Sequence, residues 1–458
     1  MPKRQQTAQQ IKNRGEALSA KEKQKRKERV LTQGTASFTS SIADAIVIKN
    51  QNVFFLTTPD GNVPLKKNHG YGLYYHDCRY LSGYTLRLAD AKPNVLISDA
   101  AQGFRAIFDM TNNEIQVDEG RHIPKDDIGI TWERVLDGAQ CALYDVLRFQ
   151  NYALEPIQFH LSLAFQAEFE DIFAIRGLLP GHPGKLEPPA WQDDVLTFAY
   201  HGGDGLDRRL TIHCSQAPDR VDDTLAYFQV RLPPQKSHRL MITLIIHEAP
   251  SSVQTVSSGK QARKLEQVKS VQQQAADAWV GEKTSVQSDS LLLNATIARS
   301  LRDLHMLRTS IGEQRFFAAG VPWFVTLFGR DSIITAMQTL AFNPEIAAET
   351  LRVLARYQGE RVDAWRDEQP GKILHELRVG ELARLGEIPH LPYYGTIDAT
   401  PLFLSLFVRH AGWTGDLTLF NELRSNVERG LEWIDRYGDS NGDGYVEYQS
   451  ASEKGGDV

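Results

Sequence analysis

The chain has 458 residues, of which 41% are hydrophobic and 24% charged, and its formal net charge is −6. That length exceeds what one hydrophobic core fills, so at least two domains are expected. The composition is that of a globular protein, and no apolar run approaches the roughly 20 residues of a helical membrane span, which excludes a membrane partner.

Residues 1–31 carry ten Lys/Arg against three Glu, so the remainder is near −13. A basic arm can bind nucleic acid, but the body offers neither a basic stripe nor a nucleic-acid motif. Residues 1–36 are therefore read as a solvated, partly helical tail, with no nucleic-acid partner. The start, Met1-Pro2-Lys3-Arg4, lacks the apolar segment of a secretory signal, which points to the cytoplasm. Cys78, Cys141 and Cys214 are an odd number without a C-x-x-C spacing, as expected of buried thiols.

Within residues 37–256, read as one domain, the pattern from about Ser37 to Glu248 has a period of two. Ile157, Phe159, Leu161, Leu163 and Phe165 alternate with Gln158, His160, Ser162 and Ala164, which describes a half-buried strand. Short runs of the same kind, Val53 to Leu56, Tyr84 to Leu88, Tyr227 to Leu232 and Met241 to Ile246, are separated by turn signals such as Pro59-Asp60-Gly61 and Asp137-Gly138. Many short strands without long helices between them predict an antiparallel β-sandwich.

Over 257–284 Lys, Gln and Ala dominate, and a linker helix is predicted. Residues 285–458 then read as helical. Leu293, Ile297, Leu301 and Leu304 share one face, and Ile333, Ile334, Met337 and Leu340 another. Asn343-Pro344 and Thr400-Pro401 are read as caps followed by proline, and Gly412 as a stop after a helix ending near Ala411. About six helices fit before the chain ends.

Four segments could carry chemistry. The loop from Gly320 to Asp331 contains Trp323 and ends in Arg330-Asp331 at a helix start. A Trp face packs on the apolar side of a pyranose, and Arg and Asp hold vicinal hydroxyls. The plain alternative makes Trp323 core and Asp331 a cap. The loop from Pro392 to Pro401 sets Asp398 among Tyr393 and Tyr394, where poor hydration would raise a carboxyl toward the protonated form that a general acid needs. The helix start opposes this by favouring the anion, and Asp398 as a cap is the competing reading. Between them, His375-Glu376 could reach substrate hydroxyls; the H-E-x-x-H spacing of a zinc protease is absent. Finally, Asp439, Asn441, Asp443 and Glu447 alternate as in a calcium loop, but position twelve is Ser450, and a metal-free turn is the equal alternative.

These loops, together with Gly72-Leu73-Tyr74-Tyr75-His76-Asp77-Cys78-Arg79-Tyr80-Leu81-Ser82 upstream, resemble bacterial amylo-α-1,6-glucosidases of the glycogen debranching family. The resemblance implies a β-sandwich followed by an (α/α)6 toroid that this chain leaves truncated, with the missing C-terminal half or self-association covering its open side. It implies an inverting glycoside hydrolase acting on α-1,6-linked glucose at branch stubs of an α-glucan, with no required cofactor and calcium as an option. Asp398 would be the general acid, Arg330, Asp331, Trp323, His375, Glu376 and Tyr394 would bind substrate, and the base would lie beyond Val458. Two alternatives stay open: a hydrolase of a small α-glucoside such as trehalose or glucosylglycerate, and a non-catalytic fragment that binds glycan.

Overall fold

The computed structural model describes residues 42–116, 122–178, 183–251, 265–281 and 284–447. The predicted tail over 1–36 and Ser450 lie outside the described residues. Among the described residues, strands between Ile46 and Pro250 pair antiparallel in sheets of five, nine and four strands and one two-stranded ribbon, and two further two-stranded ribbons follow in the helical part. The hairpin Ile128–Asp137 and Ala142–Asn151 lies inside the nine-stranded sheet, next to Ser237–Pro250. Ile157–Gln166 pairs with Leu225–Leu232 on one side and Gly83–Leu88 on the other. Its alternating residues Phe159, Leu161, Leu163 and Phe165 turn inward, where they share a core with Phe55, Tyr84, Phe108, Trp132 and Phe149. Burying each such side chain contributes roughly 1.5–3 kcal/mol.

That core also encloses charge. Arg134 and Asp145 are both fully buried on neighbouring strands, with Arg134 Nε 3.0 Å from Asp145 Oδ2. Trp132 Nε1 donates to the same oxygen at 3.0 Å, the guanidinium lies 3.8 Å over the Trp132 ring, and it also donates to the Gly61 carbonyl.

Helix α1 (Leu265–Gly281) packs against the outer face of the nine-stranded sheet, through Leu265 and Val268 on Val135, Tyr144 and Val146. After it come α2 (Leu291–Leu307), α3 (Gly329–Thr339), α4 (Pro344–Arg356), α5 (Ala399–Thr414) and α6 (Thr418–Trp433). Asn343 caps α4 by accepting from Glu345 N at 3.0 Å, with Pro344 at the first position as the dipeptide predicts. Two expected boundaries move. Helix α5 begins at Ala399, one residue before the expected Thr400 cap, because the Thr400 hydroxyl is committed to Ile373 N at 2.9 Å. It also runs through Gly412 to Gly415, whose φ of 68° supplies the left-handed cap that glycine accepts without strain. The α2 face predicted to be buried contains no fully buried residue; Leu301 and Leu304 pack partly, and Leu293 is exposed.

Lys49 fastens the sandwich to α2. Its buried Nζ donates to Met306 O at 3.0 Å, Arg308 O at 3.2 Å and Thr309 Oγ1 at 2.8 Å, at the C-terminal end where carbonyls lack partners. Burial pulls this amine down to about 7, against an ordinary 10.5. Between those values the unfolded chain holds more protons than the native one, so this group makes stability rise with pH there, with a slope approaching 1.4 kcal/mol per pH unit. Urea unfolding of the wild type and Lys49→Met between pH 7 and 10 should show that slope in the difference between them.

Candidate active site

The three predicted loops converge. Strand Leu327–Phe328 pairs with Glu376–Leu377, and Gly329 N donates to His375 O at 3.0 Å. His375 N in turn donates to Tyr393 O at 2.8 Å. A Cβ on Gly329 would collide with the Leu374 carbonyl and crowd Ala399, so the start of α3 approaches the other loops only because residue 329 is glycine.

Arg330 and Asp398 meet at this junction, with Nη1 3.0 Å from Oδ2 and both side chains partly open to solvent. Thr396 Oγ1 donates to the other carboxylate oxygen at 2.6 Å. Asp398 occupies the N-cap position of α5 but makes no capping hydrogen bond, which leaves both oxygens turned to Arg330 and Thr396. Burial pushes its carboxyl up, but the hydrogen bonds from Thr396 and Arg330 and the guanidinium charge outweigh it and hold the group below the ordinary carboxylate range. The direction expected from the aromatic setting is thereby reversed in the free chain.

His375 stands beside this pair, edge-on to Phe328 at 5.5 Å and to Tyr393 at 6.2 Å. Burial lowers its imidazole, as does the Arg330 charge, while Glu376, Asp398 and Asp331 act in the opposite sense. Asp331 lies in the first turn of α3, where a helix N-terminus favours an anion, and opens on a cavity of about 180 Å³ between α2 and α3. Leu304, Leu307, Phe317 and Ile334 also line that cavity.

Other predicted residues are placed elsewhere. Glu376 points away from His375, as alternation along a strand requires; it is buried against Arg378 and lies 3.5 Å from His390 Nε2. Tyr394 turns into the helical core and donates to Tyr357 O at 2.8 Å. Trp323 packs against the sandwich, so close to Gly70 that a Cβ there would lie 2.7 Å from its ring. In the acidic turn, Asp439 accepts from Gly442 N at 2.7 Å, Asp443 N at 3.0 Å and Gly444 N at 2.9 Å, and Ser440 and Asn441 hold Glu447. These carboxylates are held within their own loop, and among the described residues no group of three or more His, Cys, Asp or Glu side chains is placed to hold a metal.

Sequence reasoning passed over Thr396, although a hydroxyl two residues before a carboxylate is a recurrent local hydrogen-bond pattern. It also passed over His390, which packs between Phe173 and Tyr393 at 5.5 and 5.1 Å. Burial holds His390 down to about 4, against 6.5 when unfolded. The unfolded chain therefore binds the extra proton between pH 6.5 and 4, and acidification through that window should cost stability on the order of 3 kcal/mol. Urea midpoints measured at pH 7 and 4.5 should differ less in His390→Gln than in the wild type.

Comparison with known proteins bears first on the sandwich. Residues 48–243 match the family model of the N-terminal domain of some glycogen debranching enzymes. These residues therefore carry the N-terminal domain found in some glycogen debranching enzymes. No curated protein sequence matches the chain. Among solved structures, a human-microbiome protein assigned as a kojibiose phosphorylase aligns with a TM-score of 0.56 at 10% identity, over 85% of this chain and 57% of its own length. A bacterial glucoamylase complexed with acarbose aligns with a TM-score of 0.51 at 11% identity, over 88% of this chain and 60% of its own. At such identities they show the fold alone: the sandwich and the helical domain after it share the architecture of (α/α)6 proteins, and the chain spans less than two thirds of either. No helix among the described residues is long and apolar enough to cross a membrane.

Proposed function

We propose that the chain belongs to a glycoside hydrolase that releases α-1,6-linked glucose from branch stubs of an α-glucan, with Asp398 as general acid. The observation that carries this reading is the Arg330–Asp398 pair, joined by Thr396 and His375 where three loops converge. The debranching-type sandwich supports the substrate class, and the glycosidase and phosphorylase architecture supports sugar chemistry.

In this reading a glucosyl unit takes the Arg330 guanidinium onto its hydroxyls, which withdraws the charge that keeps Asp398 ionised. The carboxyl then takes up a proton and gives it to the glycosidic oxygen as the C1–O bond breaks. Water adds to C1 from the opposite face and leaves glucose of inverted configuration. We place the carboxylate that activates this water outside the described residues.

The test is glucose release from branched limit dextrin, trehalose and glucosylglycerate compared side by side. Release from dextrin alone supports the proposal. Preference for either small glucoside would replace the substrate, and binding of dextrin without turnover of any of the three would make the chain a glycan-binding one.

A further inference from the structure

The segment Tyr75-His76-Asp77-Cys78 has no part in the chemistry above, yet it forms a tight left-handed turn at the domain junction. Strands Gly72–Tyr75 and Cys78–Leu81 are joined by two residues, His76 and Asp77, with φ of 49° and 61°. A hairpin turn with both central residues left-handed is usually built from Asn, Asp and Gly. Holding a histidine there costs conformational energy, and such strain is concentrated at functional positions.

What the turn presents is the Asp77 carboxylate, buried at the junction of sandwich and helical domain. Its Oδ1 accepts from Arg378 Nη1 at 2.9 Å and its Oδ2 from Val379 N at 3.0 Å. Arg378 is itself buried, with its guanidinium near the Phe173 and Phe328 rings at 5.2 and 5.8 Å. Its remaining bonds go to Glu376 and, at 2.8 Å, to Trp323 O. Those two partners lie on the two segments that build the site: Glu376 follows His375 directly, and the Trp323 loop leads through the paired strand Leu327–Phe328 into Arg330.

Other seam contacts lack this reach. Glu381 accepts from Tyr200 Oη at 2.8 Å and Gly203 N at 2.5 Å, and Asp171 accepts from Leu382 N at 3.3 Å; both grip the helical domain beyond the site.

We propose that Asp77 is a positioning residue: acting through Arg378, it fixes His375 and the turn that carries Arg330 relative to each other. The geometric claim stands on the contacts above, while its catalytic consequence rests on the glucosidase reading. Asp77→Asn suits the test because Asn accepts left-handed backbone and keeps an oxygen for Val379 N, so the turn should survive.

Hydrogen exchange of the intact chain, read over 323–331 and 373–380, is compared among wild type, Asp77→Asn and Glu381→Gln. Exchange should quicken about tenfold in Asp77→Asn and stay near wild type in Glu381→Gln. Turnover on branched dextrin should fall in kcat by about 10- to 100-fold in Asp77→Asn with KM little moved, as for misplaced reacting groups. Unchanged exchange at both segments in Asp77→Asn, or an equal effect in Glu381→Gln, would overturn the proposal. Turnover that is absent, or that ignores Asp398→Asn, would remove the glucosidase reading instead, and the exchange result would still decide the role of Asp77.

Discussion

Asp398→Asn should lower glucose release from branched limit dextrin by about a thousandfold or more, while α-glucosyl fluoride, whose leaving group needs no proton, should be hydrolysed nearly as well as by the wild type. An amide cannot donate the proton, and it still accepts from Thr396, so folding should be little affected. Equal losses on both substrates would assign Asp398 to sugar binding. No loss on either would remove it from the site. The Arg330 contact adds a second observable. Because that guanidinium and the Thr396 hydroxyl hold the Asp398 carboxyl low in the free chain, Arg330→Ala should raise it toward the ordinary carboxylate range. Carbon-13 titration of the carboxyl would show the shift. The same variant should lose activity, since in the proposed mechanism Arg330 both grips the sugar and releases the acid.

The largest loss of stability is expected in the sandwich. Arg134→Met would leave Asp145 fully buried without its cation, with Trp132 Nε1 still donating to it. Breaking a buried pair from one side costs about 3–5 kcal/mol, because the surviving charge is kept from water without a compensating cation. The double change Arg134→Met, Asp145→Leu should recover much of that loss, since two desolvated charges are then replaced by apolar volume. Denaturant unfolding of the three proteins gives the comparison; a double variant no more stable than Arg134→Met would mean that the pair holds the core through its hydrogen bonds to Trp132 and Gly61.

The sandwich was legible because alternation is imposed residue by residue: Phe159, Leu161, Leu163 and Phe165 all face the core their spacing assigns. The Arg134–Asp145 pair was not, since each side chain sits at an inward position and only their registration across strands turns two misplaced charges into a pair. Within the candidate site, Arg330 and Asp398 stand out by chemistry and spacing and are paired in the structure, whereas Asp331 opens on a separate cavity between α2 and α3. Glu376 and Tyr394 could not be told from their neighbours, because which of two adjacent side chains faces a cleft depends on strand pairing and a tertiary core. The protonation tendency of Asp398 was misjudged for a related reason: the aromatic residues are local in sequence, whereas Arg330 arrives from 68 residues away.

The seam between the two domains is written in charge. Asp77 answers Arg378, and Asp204 and Glu248 answer Arg208 and, at 3.6 and 4.0 Å, Arg384. Apolar surfaces tolerate exchange of partners, but a desolvated ion pair is specific to the residue opposite. The sandwich is therefore no interchangeable module: transplanting the helical domain onto a sandwich from another protein would leave Arg378 with Glu376 as its acidic partner and Arg384 without Asp204 and Glu248, unless the sandwich carboxylates were carried over with it.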